Sequence, residues 1–207
     1  CAESARCNSL SSNIARNASG ARTSGSVILL QEFGHLVANR FRMEKNVADY
    51  AINGVNTKDM VMTNCLIADN DLNLGAVIRD NGGGVIKLKG CTVANNSIAG
   101  NAPNTYIVDI GNSGANVELF GNIFAQPSVN TNTIKFSGTN LTSTFNLARE
   151  IGTLGGVINA NIAGAPSFVD AAIGNYRLQS YSSGVDVAPN LGGDDLAGRA
   201  RDIDRPG

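Results

Sequence analysis

Charge, aromatic side chains and histidine are all scarce in this 207-residue chain, and each shortage removes a class of function. Only 16% of residues are charged, and 16 basic residues against 17 acidic ones leave a formal net charge of −1. That balance offers no basic field for nucleic acid or for an anionic membrane surface. Tryptophan is absent and aromatic residues make up 5%. His35 is the single histidine, and Cys1, Cys7, Cys65 and Cys91 contain no Cys-x-x-Cys pair, so zinc-ligand spacing is missing and no metal is assigned. The longest apolar stretch, Val27-Ile28-Leu29-Leu30, is of strand length, far short of the ~20 residues a membrane-spanning helix needs. The chain opens at Cys1 with no initiator Met and no signal-peptide pattern, and is read as a fragment or a processed form.

What the chain does contain is glycine, 24 of them, together with abundant asparagine. These residues enter left-handed backbone conformations at little cost, which suits a chain that turns corners often. Hydrophobic residues reach 43% and fall in short regular runs, so the polar richness marks turns rather than disorder. The composition reads as folded and all-β.

One phrase is written three times: Met60-Val-Met-Thr-Asn64-Cys65-Leu-Ile67, Ile86-Lys-Leu-Lys-Gly90-Cys91-Thr-Val93 and Val117-Glu-Leu-Phe-Gly121-Asn122-Ile-Phe124. A strand precedes each copy (Tyr50–Ile52, Ala76–Arg79, Tyr106–Ile110), separated from it by turn-forming residues. The Asn/Gly position recurs at Asn64, Gly90 and Gly121, spaced 26 and 31 residues apart. Ile134-Lys-Phe-Ser-Gly138 is read as the start of a fourth, shortened copy, and residues 1–25 as an incomplete first coil. A period of this size with several short strands is the signature of a solenoid. Amphipathic runs of helical period are absent. Stacked coils place like residues about 4.8 Å apart in parallel strands. Alternation then predicts Met60/Met62, Ile86/Leu88, Val117/Leu119 and Ile134/Phe136 facing inward. Val61/Thr63, Lys87/Lys89, Glu118/Phe120 and Lys135/Ser137 are predicted to face solvent. A parallel β-helix meets all these conditions, with coils over residues 1–164 and an irregular C-terminal capping tail over 165–207.

The tail carries Phe145-Asn-Leu147, Ala165-Pro-Ser-Phe-Val-Asp170, Gly174-Asn-Tyr-Arg-Leu178, Ser182-Ser-Gly-Val-Asp186 and Asp194-Asp-Leu-Ala-Gly198-Arg-Ala-Arg-Asp202. In order and spacing these blocks resemble the C-terminal pattern of bacterial parallel β-helix proteins with a choice-of-anchor Q domain. Ser183-Gly184 stands where that pattern has Ser-Pro. The family's usual closing segment has no counterpart before Pro206-Gly207, so a truncated tail is expected. The resemblance implies a right-handed, pectin-lyase-like β-helix exported to the bacterial surface or medium, and it leaves the activity open.

The leading surface constellation is Asn53, Arg79 and Asp109, predicted to project outward from successive coils as one ladder. An amide, a guanidinium and a carboxylate in a row suit a polysaccharide-binding face, or an Arg stabilising an enolate beside a carboxylate that takes a proton. The plain alternative is a cross-strand Arg79–Asp109 ion pair, worth under about 1 kcal/mol at a surface. A second ladder, Lys87, Glu118 and Lys135, alternates in sign and has the same two readings. Asp69-Asn70-Asp71 offers oxygen ligands for calcium but too few carboxylates to make a site, and Asp194, Asp195, Asp202 and Asp204 share that weakness. That acidic tail is better read as covering the last coil's exposed edge. Cys65 and Cys91 occupy equivalent inward positions as packed thiols or as a disulfide across the stack. Asn122 follows them and, if buried, needs partners from the backbone or the stack.

Three functions are consistent with these residues: an exported or cell-surface module that binds polysaccharide, a polysaccharide lyase or glycoside hydrolase acting on an acidic polymer, and a structural stalk or adhesin segment. No cofactor is implied by any motif, and catalytic residues are not identifiable from the text alone.

Overall fold

A computed structural model describes residues 9–11, 25–31, 34–98, 105–125, 131–149 and 157–185. The strands stack in parallel as a β-solenoid of about four turns with almost no helix. Each coil begins on an entry wall, made of Ser26–Leu30, Tyr50–Gly54, Ala76–Asp80, Thr105–Ile110 and Thr131–Phe136. It then crosses to a phrase wall of His35–Asn39, Asp59–Thr63, Val85–Lys89, Asn116–Phe120, Leu141–Thr144 and Val157–Asn159. A corner wall follows, built from Ser9–Ser11, Arg42–Glu44, Leu66–Ala68, Thr92–Ala94, Ile123–Ala125, Leu147–Ala148 and Ile162–Ala163. Three two-residue strands, Val47–Ala48, Asp71–Leu72 and Ser97–Ile98, close the coil.

The phrase wall has the expected register. Met60, Ile86, Val117 and Leu141 align in one row and are buried, as are Met62, Leu88, Leu119 and Ser143 in the next. Between them Val61, Lys87 and Glu118 face outward with part or all of their surface in solvent. A hydrophobic core runs up the axis through these rows and through Ile52, Ile78 and Val108 of the entry wall.

One expectation is overturned. Thr131–Phe136 pairs with Thr105–Ile110, so Ile134 and Phe136 extend the entry wall, and Lys135 aligns with Asp109 rather than with Glu118. The fourth phrase copy is Leu141–Thr144, where Glu118 aligns with Thr142. Ile134-Lys-Phe136 alternates as a phrase strand does, so alternation alone cannot place it; only the pairing does.

The corner after the phrase is left-handed in every coil, but it is not reserved for Asn and Gly. Arg40, Asn64, Gly90, Gly121, Phe145 and Ala160 occupy it with φ of 55°, 55°, 62°, 62°, 57° and 51°. At the corners of Arg40, Asn64, Gly90 and Gly121 the neighbouring coil takes the corner N–H: Arg40 N donates to Thr63 O at 3.0 Å, Asn64 N to Lys89 O at 2.9 Å, Gly90 N to Phe120 O at 2.9 Å and Gly121 N to Thr144 O at 3.1 Å.

From Asn64 on, the residue after the phrase corner belongs to a polar stack, whereas behind Arg40 the place is taken by the apolar, buried Phe41. Behind the phrase corner, Asn122 Nδ2 donates to Asn146 Oδ1 at 2.8 Å and Asn146 Nδ2 to Asn161 Oδ1 at 2.9 Å. At the far end of the corner wall, Asn46, Asn70 and Asn96 follow the left-handed Lys45, Asp69 and Asn95 in the same way. Every one of these amides except that of Asn161 is buried, and the ladders satisfy donors and acceptors that burial would otherwise leave costly.

Part of the described tail packs on the side of the stack. Phe168–Asp170 and Asn175–Leu178 form an antiparallel hairpin around a one-turn 3-10 helix, Ala171–Ile173, closed by Gly174 at φ 78°. Its Phe168 and Tyr176 rings meet edge-to-face with centroids 5.2 Å apart. They pack on Leu66, Ala68, Ala94 and Ala125, the outer face of the corner wall. The hairpin therefore covers a flank. Asp194, Asp195, Asp202 and Asp204 lie outside the described residues.

Candidate functional site

Entry-wall strands carry a double buried pair, Ala51-Ile52, Val77-Ile78 and Ile107-Val108, that interrupts simple alternation. Cα pairing skips the first member of each pair: Ser26 aligns with Tyr50 and Ile28 with Ile52, and Ala76 aligns with Tyr106 and Ile78 with Val108. The residues flanking each pair are thereby brought to the same outer face. Tyr50 and Asn53, and likewise Tyr106 and Asp109, are half-exposed three residues apart.

Leu29, Asn53, Arg79, Asp109 and Lys135 form one registered row across five coils. The three residues singled out from the sequence do stand side by side. Their chemistry differs from a simple ion pair. The Arg79 guanidinium lies over the Tyr50 ring, 5.4 Å from its centroid, and Nη1 donates to Tyr50 Oη at 3.2 Å. Asp109 is served from its other side, with Lys135 Nζ 3.4 Å from Oδ1. Lys135 also lies over the Tyr106 ring at 5.5 Å. Among the described residues Arg79 has no carboxylate partner. Asn53 Oδ1 is buried and meets no hydrogen-bond donor. Tyr50 and Tyr106 were not singled out from the sequence, because strict alternation does not bring them to this face.

The phrase-wall row keeps Lys87 and Glu118, joined at 2.8 Å, but Lys135 belongs to the entry wall. Near the phrase wall's first strand, His35 Nδ1 is 2.8 Å from Asp59 Oδ2. The Asp69-Asn70-Asp71 triplet does not converge: Asn70 is turned into the coil, while Asp69 accepts from Asn95 Nδ2 at 2.6 Å and from the Tyr176 hydroxyl. Among the described residues no three acidic, His or Cys side chains gather.

Among the buried titratable groups off this face are Asp80, Cys65 and Cys91. Asp80 is fully buried at the end of its entry strand, packed with Thr57 directly over Gly54. Desolvation raises its carboxyl pKa, with Thr57 and the Gly82 N–H beside it opposing in part. Neither carboxylate oxygen makes a well-aligned hydrogen bond. Gly54 and Gly84 are required here by contact: a Cβ on Gly54 would sit 2.0 Å from Asp80 Oδ1, and one on Gly84 would sit 1.7 Å from Lys58 O. Cys65 and Cys91 are buried free thiols in the phrase-corner stack.

Comparison with known proteins found no matching family model, no matching curated protein and no matching solved structure.

Proposed function

We propose that the chain is an exported or cell-surface module of the bacterial, pectin-lyase-like, choice-of-anchor kind, and that the outer face of its entry wall binds polysaccharide. The observation that carries this reading is Arg79, held at Tyr50 by a cation–π contact 5.4 Å from the ring centroid and by a hydrogen bond to the hydroxyl, while lacking a carboxylate partner among the described residues. A guanidinium fixed in this way has already lost the rotamer freedom that binding would otherwise remove, and its planar fork suits a sugar carboxylate or a pair of hydroxyls. Asn53 supplies an amide beside it, and Asp109 a carboxylate that accepts sugar hydroxyls. Tyr50 and Tyr106 present ring edges and faces to the apolar side of a pyranose.

The test is binding of the full chain to an array of neutral and acidic glycans, followed by titration of the best ligand against Arg79→Ala, Asn53→Ala and Asp109→Ala. Arg79→Ala is expected to weaken binding roughly ten- to hundredfold, the worth of one charged hydrogen-bonded contact. Glycan affinity unchanged in all three variants, or no glycan bound, refutes the assignment. Appearance of unsaturated or shortened products in the same incubations, lost with Arg79→Ala or Asp109→Ala, would convert the reading to a lyase or hydrolase.

A further inference from the structure

Five coils place a residue at the same point behind the phrase corner: Cys65, Cys91, Asn122, Asn146 and Asn161. The asparagines link to one another, and each buried one also donates to an inner carbonyl of the preceding coil, Asn122 to Leu88 O at 2.8 Å and Asn146 to Leu119 O at 3.0 Å. The thiols occupy the same role. Cys91 Sγ lies 3.5 Å from Met62 O and Cys65 Sγ 3.6 Å from Ala38 O, the equivalent carbonyls one coil back each time. The amide chain ends where Cys91 N–H donates to Asn122 Oδ1 at 2.9 Å. Below that point the stack continues as two buried thiols at equivalent positions of adjacent coils.

Sequence-adjacent Leu66 and Thr92 are registered partners, and Thr92 N donates to Cys65 O at 2.8 Å, so the two cysteine backbones are locked side by side. Registered parallel neighbours lie about 4.8 Å apart, within the roughly 4.4–6.8 Å Cα separation that a disulfide spans. We propose that Cys65 and Cys91 are a built-in oxidation site: in an oxidising compartment they close to an inter-coil disulfide, and the buried thiol pair is its reduced form. The bond needs side-chain rotation and no strand slippage. Both thiols are about 2% exposed, so the reaction belongs to folding, before the coil closes. The oxidant is a disulfide, of a small molecule or of a thiol oxidoreductase. The Cys65 thiolate attacks one of its sulfurs and expels a thiolate. The Cys91 thiolate then attacks Cys65 Sγ in the mixed disulfide, expelling the second thiolate. Two protons leave the protein, two electrons reach the oxidant, and one S–S bond forms.

The experiment refolds the full chain from denaturant in an oxidised/reduced glutathione buffer, then alkylates remaining thiols in denaturant and maps peptides without reduction. A Cys1→Ser/Cys7→Ser variant is run in parallel so that the other two thiols cannot exchange into the pair. The expected result is a linked peptide joining Cys65 to Cys91 in both proteins. A thermal midpoint higher by roughly 5–15 °C than that of the reduced form is also expected. Recovery of Cys65 and Cys91 as alkylated thiols after oxidising refolding overturns the proposal. So does a linked peptide joining either of them to Cys1 or Cys7, or a linked form that melts below the reduced one. None of these outcomes depends on glycan binding.

Discussion

Asn70 Nδ2 donates to Asn96 Oδ1 at 2.8 Å, and the same nitrogen lies 3.0 Å from Met43 O in the coil before. One side chain thus ties three consecutive coils. Its own Oδ1 accepts both the N–H and the Nδ2–H of Asn46. Asn70→Ala removes the shared acceptor of the two Asn46 donors and the side-chain donor to Met43 O, while Asn96 Oδ1 keeps the backbone N–H of residue 70 at 3.2 Å. A loss of about 2–4 kcal/mol is expected, read as a lower urea midpoint at unchanged slope. Ser97→Ala, one residue beyond Asn96 and exposed, serves as the control and is expected to change stability far less.

Cys91 stands where the phrase-corner ladder stops. Cys91→Asn puts an amide in line with Asn122 Oδ1 and Met62 O, the two acceptors the other ladder members use. The variant is expected to be more stable by about 1 kcal/mol, one net hydrogen bond. Thermal unfolding of wild type and variant under reducing conditions measures this; a lower midpoint would mean that the corner lacks room for the longer side chain.

Asp80 gives the chain a pH signature. Burial holds its carboxyl above the ordinary range, so the native state binds the proton more tightly than the unfolded chain does. The stability this contributes is complete below the unfolded value, near about 3.9, and is lost as pH rises through the raised folded value. Asp80→Asn removes the titration. Urea midpoints measured between about pH 4 and about pH 7 are expected to fall more for wild type than for the variant. Parallel profiles would show that Asp80 ionises in the native state without cost.

The Tyr176 hydroxyl ties the flank hairpin to Asp69 over an apolar base of Leu66, Ala68 and Ala94. Burial and the Asp69 carboxylate both raise the phenol pKa, so Tyr176 keeps its proton and donates at all ordinary pH. Tyr176→Phe preserves the ring and removes the donor. Amide exchange across Phe168–Leu178 is expected to speed up about tenfold, one charged hydrogen bond's worth, while the core of the coils is unaffected. Equal exchange in both proteins would assign the docking to the ring contacts alone.

Much of this was readable before any coordinates. The period of the phrase, its left-handed corner at Asn64, Gly90 and Gly121, and the inward row Met60, Ile86, Val117 follow from local rules of alternation and backbone conformation. Those rules act on a few neighbouring residues, so the text carries them. Ile134–Phe136 could not be placed in the same way, because these three residues alternate as a phrase strand does and the coils differ in length. Arg40 at the corner was equally illegible, since its left-handed φ is held by the hydrogen bond its N–H donates to Thr63 O in the next coil, and nothing local marks Phe145 or Ala160 for that conformation.

The candidate face shows the same division. Asn53, Arg79 and Asp109 were legible as a row, because equivalent positions in stacked strands must align. That Arg79 lies on Tyr50 while Asp109 turns to Lys135 was decided by the paired buried residues, Ala51-Ile52 and Ile107-Val108, which bring tyrosines from three positions upstream to that surface. The sequence by itself determined a coil that repeats and which side of each phrase strand is apolar, because both depend on local geometry. Only the tertiary structure decided which coil's residue meets which, because contacts between coils depend on the lengths of the turns between them.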